Sequence, residues 1–229
     1  MNNIKIKEGN IFNTTSDVLV NTVNCDGFMG KGMAFECKLR YPEMYIDYQN
    51  KCNAKIIKPG VLTLWGKSNP KILNFPTKDH WKFPSKIEYL ELGLQNLEDI
   101  CNKNKIESIA FPLLGTNQGG LDEDIVQELM FFYISKLDLP SVEIYKFNPN
   151  ATDNLFEILK SKISKSDHVW LKNEINIPEK KLSILINKIN NNSFNNMLDI
   201  QTQDGFGEKT LIKIYEFAQS ENIVQKKLI

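Results

Sequence analysis

The sequence is poor in several residue types, and each scarcity excludes something. It holds only two histidines, His80 and His168, neither in a recognisable ligand spacing, so no metal site is expected. Its four cysteines (Cys25, Cys37, Cys52, Cys101) are scattered, with no CxxC pair. They read as reduced, partly buried thiols of a cytoplasmic protein rather than as a disulfide framework. No apolar run is long enough to span a bilayer, and MNNIKIKEGN has no apolar core behind a basic start, so neither a membrane role nor a secretory signal is expected. Excess charge is also missing, since 28 basic residues, Arg40 the single arginine among them, balance 28 acidic ones. Residues 151–229 carry 11 lysines and 10 acidic residues, so neither region is a polycation. Tight, sequence-independent binding to long duplex nucleic acid is therefore not expected, while a local contact stays open.

What is present is patterned. The 229 residues suffice for one large domain, or a medium domain with an appendage. Short, apolar, β-branched runs at Ile4–Lys7, Val18–Val23, Val61–Trp65, Ile72–Phe75, Ser108–Phe111 and Val142–Phe147 read as strands. Between them, Lys31–Arg40, Pro42–Cys52, Lys86–Asn104 and Glu123–Lys136 read as helices. Ser85 is the expected N-cap of the third, with Glu88 completing a capping box, and Asp122 that of the fourth. Near-continuous apolar strands mean a sheet covered on both faces, a three-layer α/β/α domain over residues 1–151 with a mixed sheet of about six strands. Residues 152–229 read as a small, mostly helical region, with helices from Leu155 to about Ile163, at Glu179–Asn190, and as a final pair near Phe194–Ile200 and Glu208–Gln219.

Three segments carry chemistry. NTVNCDGFMGKGMA, residues 21–34, leaves a strand and enters a helix. Its glycines allow close backbone approach, and helix N-terminal amides there favour an anion. It is neither a Walker A loop nor a GxGxxG fingerprint. FPLLGTNQGGLD, residues 111–122, repeats the same physics ahead of a helix capped by Asp122. Two such loops at strand ends suit one ligand held across the carboxyl edge of the sheet, such as a diphosphate between two sugars. NFPTKDHW, residues 74–81, presents Lys78 beside Asp79, His80 and Trp81. Lys78 reads either as a solvated lysine or as a group reaching a sugar or phosphate. Trp81 is placed to pack over or near a base.

In this order over residues 1–150, together with YPEMYIDYQNKC, these segments resemble the macrodomain family, and within it the DarG-type antitoxin macrodomains that pair with the DNA-modifying toxin DarT. The resemblance implies a macrodomain fold that binds ADP-ribose as ligand and product, with no cofactor. In it the first loop, with Asn21, Asn24, Gly27, Met29, Gly30, Lys31 and Gly32, wraps the distal ribose and diphosphate. The second loop, with Leu114, Gly115, Thr116, Asn117, Gly119, Gly120 and Leu121, closes over them. Thr77, Lys78, His80 and Trp81 line the site from the third segment. Lys78 and Asp122 correspond to the lysine and aspartate used in catalysis. Near the N-terminus the family's Gly-Asp-Ile is replaced by Gly9-Asn10-Ile11. The Asn10 amide oxygen can still accept from the adenine amino group, without charge assistance.

Lys78 can serve as a nucleophile if burial lowers its pKa, or stabilise the departing base. Asp122 is either a general base or only a helix cap. The implied activity is removal of ADP-ribose from modified, single-stranded DNA, thymidine being the implied linkage, opposing a DarT-like toxin. The alternatives are a non-catalytic ADP-ribose-binding module and a toxin-binding antitoxin. DarG proteins carry a C-terminal toxin-contacting region, and the one here is short. Residues Leu198–Ala218 resemble a helix–hairpin–helix, with Gly205, Gly207, Lys209 and Thr210 at the turn, or else form a plain turn between packed helices.

Overall fold

The computed structural model describes residues 3–221. The chain divides into two compact units, Met1–Phe147 and Asn148–Ile229. The first is built on six strands: β1 (Asn3–Gly9), β2 (Val18–Val23), β3 (Thr63–Trp65), β4 (Lys71–Pro76), β5 (Ser108–Pro112) and β6 (Ser141–Phe147). They lie in the order β1-β6-β5-β2-β4-β3. The first five in that order pair in parallel, and only the edge strand β3 runs antiparallel to its neighbour. The mixed six-stranded sheet is thus the one expected.

Alternation along each strand divides its side chains between two layers. Val18, Val20, Leu73, Phe75, Ile109 and Phe111 face one core, against Leu90 and Leu94 of α3 (Ile87–Gln95), Leu97 of α4 (Leu97–Asn104) and Val126, Met130 and Ile134 of α5 (Glu123–Ile134). Leu19, Ile72, Ala110 and Tyr145 face the other, against Cys37 of α1 (Gly32–Arg40) and Met44, Tyr48 and Cys52 of α2 (Pro42–Asn53). Burial of both faces explains why the strands read as continuous apolar runs.

Two local expectations are corrected. The span Lys86–Asn104 is not one helix but α3 and α4, broken at Asn96, whose side-chain amide donates to the Gly60 carbonyl at 3.0 Å. Ser85 is not the N-cap of α3; Lys86 is, with no side-chain capping bond. The Ser85 N–H is instead committed to the Gly119 carbonyl at 2.9 Å, which draws the residue under the second glycine-rich loop.

The second unit is helical: α6 (Asn154–Lys165), α7 (His168–Ile175), α8 (Glu179–Asn190), α9 (Met197–Gln201) and α10 (Glu208–Gln219). Leu159, Leu171, Leu182, Leu185, Ile200, Ile214 and Tyr215 are among its buried side chains. Sequence periodicity missed α7. Its signals are polar: Asp167 accepts from the Trp170 N–H at one end, and Asn176 turns left-handed (φ 51°) at the other. Between α9 and α10, Gly205 takes φ 81° and Gly207 caps α10. Lys209 is exposed, whereas Thr210 is buried with its hydroxyl accepting from Lys181 at 3.0 Å.

Candidate active site

β4, β2 and β5 are consecutive neighbours in the sheet, and the first strand pair and the second are both parallel. Their carboxyl ends therefore deliver the NFPTKDHW segment and the two glycine-rich loops to one edge. Backbone bonds knit the first loop to that segment: Thr77 donates to the Val23 carbonyl at 2.9 Å, and Cys25 to the Asp79 carbonyl at 3.1 Å. The Asp26 carboxylate accepts from the Trp81 N–H at 2.9 Å and lies 3.8 Å from His80 Nε2. The second loop is tied in by Ser85 and by Lys78, whose ammonium donates to the Gln118 carbonyl at 2.6 Å. A Cβ on Gly32 would lie 3.3 Å from Gln118 Cγ, so the two glycine-rich loops adjoin.

Asn24 organises the first loop. Its amide oxygen accepts from the N–H groups of Asp26 (2.9 Å) and Phe28 (3.3 Å) and from the Tyr48 hydroxyl (3.1 Å), and its amide nitrogen donates to the Phe28 carbonyl. The Tyr48 hydroxyl also reaches the Asn24 carbonyl at 2.7 Å. Gly27 and Gly32 hold left-handed φ of 81° and 58°, which a side chain would strain. Gly30 is not left-handed; a Cβ there would meet the Phe28 ring at 2.4 Å. Lys31 and Gly32 lie exposed at the start of α1. Met29 is fully buried in the core, so only its backbone is available to a ligand.

In the second loop Gly115 and Gly120 are left-handed, and a Cβ on Gly119 would lie 2.1 Å from the Gly115 carbonyl oxygen. The turn closes through Gly120 N–H to Thr116 O (2.8 Å) and Leu121 N–H to Gly115 O (3.1 Å). Thr116 Oγ1 donates to the Leu113 carbonyl, Leu114 is core, and Asn117 stands exposed. Asp122 Oδ1 accepts from the Asp124 and Ile125 N–H groups at 3.0 and 3.1 Å, the helix-capping geometry. Partial burial holds the Lys78 amine below the usual lysine value of 10.5.

Three of the named residues sit apart from this cluster. Asn21 is fully buried in β2, donating to Asn74 Oδ1 at 3.0 Å. Asn10 and Ile11 follow β1, at the far side of the sheet from β4, and Asn10 Oδ1 accepts from the Phe12 N–H at 3.0 Å. The roles of Tyr48, Asp26 and Gln118 were not read from the sequence. Tyr48 shares the Met44–Tyr48–Cys52 core stripe of α2, where a hydroxyl among apolar partners is the signal. Burial, foremost, pushes the Cys25 thiol up to about 12, so it stays protonated and is no nucleophile at neutral pH.

A three-layer α/β/α unit with two glycine-rich loops at adjacent parallel strand ends has the architecture of open α/β folds whose site lies at the carboxyl edge of the sheet. The family model for the macro domain matches residues 20–130, and a solved structure, the macrodomain of Mycobacterium tuberculosis DarG, is 37% identical, with the match covering 62% of this chain and 96% of that one at a TM-score of 0.60. The chain belongs to the macrodomain family. It is also similar to a Mycobacterium tuberculosis protein named DNA ADP-ribosyl glycohydrolase, 39% identical over 154 residues, 65% of this chain and 43% of that protein. A solved structure described as Thermosipho africanus DarTG in complex with ADP-ribose is 34% identical, covering 64% of this chain and 42% of that one, at a TM-score of 0.60. The chain thus spans less than half the length of the curated relative it matches. Among the described residues, no helix is long and apolar enough to cross a membrane.

Proposed function

We propose that the macrodomain unit is a glycohydrolase that removes ADP-ribose from a base of single-stranded DNA, thymidine being the linkage we favour, and so opposes a DarT-like transferase. The observation that carries this reading is Lys78, a partly desolvated amine that bridges the third segment and the second loop through the Gln118 carbonyl. A module that only held ADP-ribose would not require a lysine with a depressed pKa at that junction.

The bond to break joins the anomeric carbon of the distal ribose to a base nitrogen. The neutral Lys78 amine attacks that carbon; the base departs with the bonding pair and takes up a proton. Water then displaces the lysine, its hydroxyl ending on the sugar, and the amine is restored. The loop amides hold the diphosphate and fix the distal ribose in line. Asp122 lies at the head of α5, where its Oδ1 is occupied as a cap. As a base toward the incoming water it would act through Oδ2. The reaction consumes water and calls for no cofactor.

The test is release of free ADP-ribose from an ADP-ribosylated single-stranded oligonucleotide, with cyanoborohydride added in a parallel reaction. The glycosyl–lysine adduct can open its ribose ring to an imine at the anomeric carbon, and reduction of that imine would leave a covalent label on Lys78. Binding of ADP-ribose without release from the oligonucleotide would make the unit a reader instead.

A further inference from the structure

Beside the candidate site stands a ribbon of aromatic rings that the reaction just described does not use. Phe28 lies 5.3 Å from Trp81, ring centre to ring centre; Trp81 stacks on His80 at 6.1 Å; and His80 meets Phe83 at 5.2 Å. Phe28, Trp81 and Phe83 are 49%, 46% and 63% exposed. Of the five exposed Phe and Trp side chains among the described residues, three stand together here. Contiguous exposed aromatics cost hydration, and such patches mark binding surfaces.

The middle of the ribbon, His80 and Trp81, is anchored. Asp26 fixes the Trp81 N–H at 2.9 Å, and the Lys82 N–H donates to His80 Nδ1 at 3.2 Å. It also carries cations: the Lys82 ammonium lies 5.2 Å from the Trp81 ring centre, and Lys31 and Lys86 are exposed on the flanking segments. π-faces interleaved with lysines match bases and phosphates of an unpaired strand. An apolar protein surface would not call for the lysines.

Sheet order tells which end of the ligand this is. The macrodomain resemblance implies that adenine lies by Asn10 and Ile11 after β1, whereas Trp81 follows β4, four strands across. The ribbon therefore shares with Lys78 the end of the carboxyl edge remote from β1, the end at which the proposed reaction puts the nucleic-acid half of the substrate. We infer that Phe28, Trp81 and Phe83 form a stacking platform for an unpaired base flanking the modified nucleotide, with Lys82 meeting the adjoining phosphate. The assignment of which half lies there rests on the glycohydrolase reading; the platform itself is tested without it.

The experiment uses the full chain and Phe83, whose N–H donates to the His80 carbonyl at 3.1 Å, a backbone bond that a side-chain substitution keeps, and whose ring is exposed. Fluorescence anisotropy with a labelled, unmodified oligothymidylate should show roughly tenfold weaker binding for Phe83→Leu and near-wild-type binding for Phe83→Trp. ADP-ribose binding by calorimetry should be unchanged in both. On modified substrates, Phe83→Leu should lower kcat/KM for the oligonucleotide by the same factor and leave a modified mononucleoside untouched. Unchanged oligothymidylate binding by Phe83→Leu overturns the platform. So does equal loss on both substrates, or binding kept by Leu and lost only by Phe83→Ala, which would mean an apolar, protein-type contact. If the wild type releases no ADP-ribose, the glycohydrolase reading falls while the anisotropy comparison still decides the platform.

Discussion

The two glycine-rich loops do similar work at neighbouring strand ends, yet they are held in different ways. Besides its bonds to the third segment, the first is fixed from within by the Asn24 amide and from α2 by the Tyr48 hydroxyl. The second is held by its own backbone turn and by two groups from outside it, the Lys78 ammonium of the third segment and the Ser85 N–H just beyond that segment. A loop pinned by buried acceptors keeps its shape whatever the ligand does. A loop whose carbonyl accepts from Lys78 loses that bond when the amine turns to substrate. On the proposed reading the first loop is thus a fixed cradle, and the second is coupled to Lys78.

The sharpest break in this comparison is steric. A Gly119→Val side chain would meet the Gly115 carbonyl at 2.1 Å and Ser85 Oγ at 2.3 Å, neither free to move without reshaping the loop. We expect ADP-ribose affinity by calorimetry to fall about a hundredfold, the scale of ~3 kcal/mol of overpacking. Gly30→Val, in the first loop, meets only the exposed Phe28 ring, which can swing aside at about 0.5–1 kcal/mol, so its affinity should fall only a few-fold. Equal losses would mean that the loops respond alike. This contrast is not visible in the sequence, where both glycines sit in similar motifs.

Next in size is the staple. Asn24→Ala leaves two loop N–H groups short of an acceptor, while the Tyr48 hydroxyl keeps the backbone carbonyl, and should cost about 2–3 kcal/mol in denaturant melts. Tyr48→Phe removes one donor and should cost about 1 kcal/mol. Unchanged melting of both variants would show that the first loop is not held from within.

The coupling of the second loop can be read from pH. Burial lowers the folded-state pKa of Lys78, so between that lowered value and 10.5 the unfolded chain binds more protons than the folded one. Stability should therefore rise with pH across that window, the burial penalty being complete only below it. Single-turnover release should rise about tenfold per pH unit and level off below 10.5, as the neutral amine becomes available. A flat profile would assign the work to the ammonium form, stabilising the departing base.

Much of the fold was legible because it rests on local pattern. Val18–Val23 apart from Asn21, and Ser108–Phe111 after Ser108, are β-branched or apolar, and Asp122 caps α5 where its position before an apolar helix said it should. What escaped depended on distant partners. The break at Asn96 follows from a carbonyl 36 residues away, and the loss of Ser85 as a cap from a contact with Gly119. In the site, the glycine loops and Lys78 were readable as types at strand ends. The Tyr48–Asn24 bond and the Lys78–Gln118 bond were not, because each joins residues 24 and 40 positions apart through a fold that periodicity does not specify.

The central claim is that Lys78 performs the chemistry while the loop amides provide the affinity. Its most direct test is Lys78→Ala, measured for release of ADP-ribose from a modified single-stranded oligonucleotide and, in parallel, for ADP-ribose binding by calorimetry. The account predicts that release is abolished while affinity stays within about tenfold, or ~1.4 kcal/mol. Release by the variant at the wild-type rate would contradict it and remove Lys78 from the mechanism.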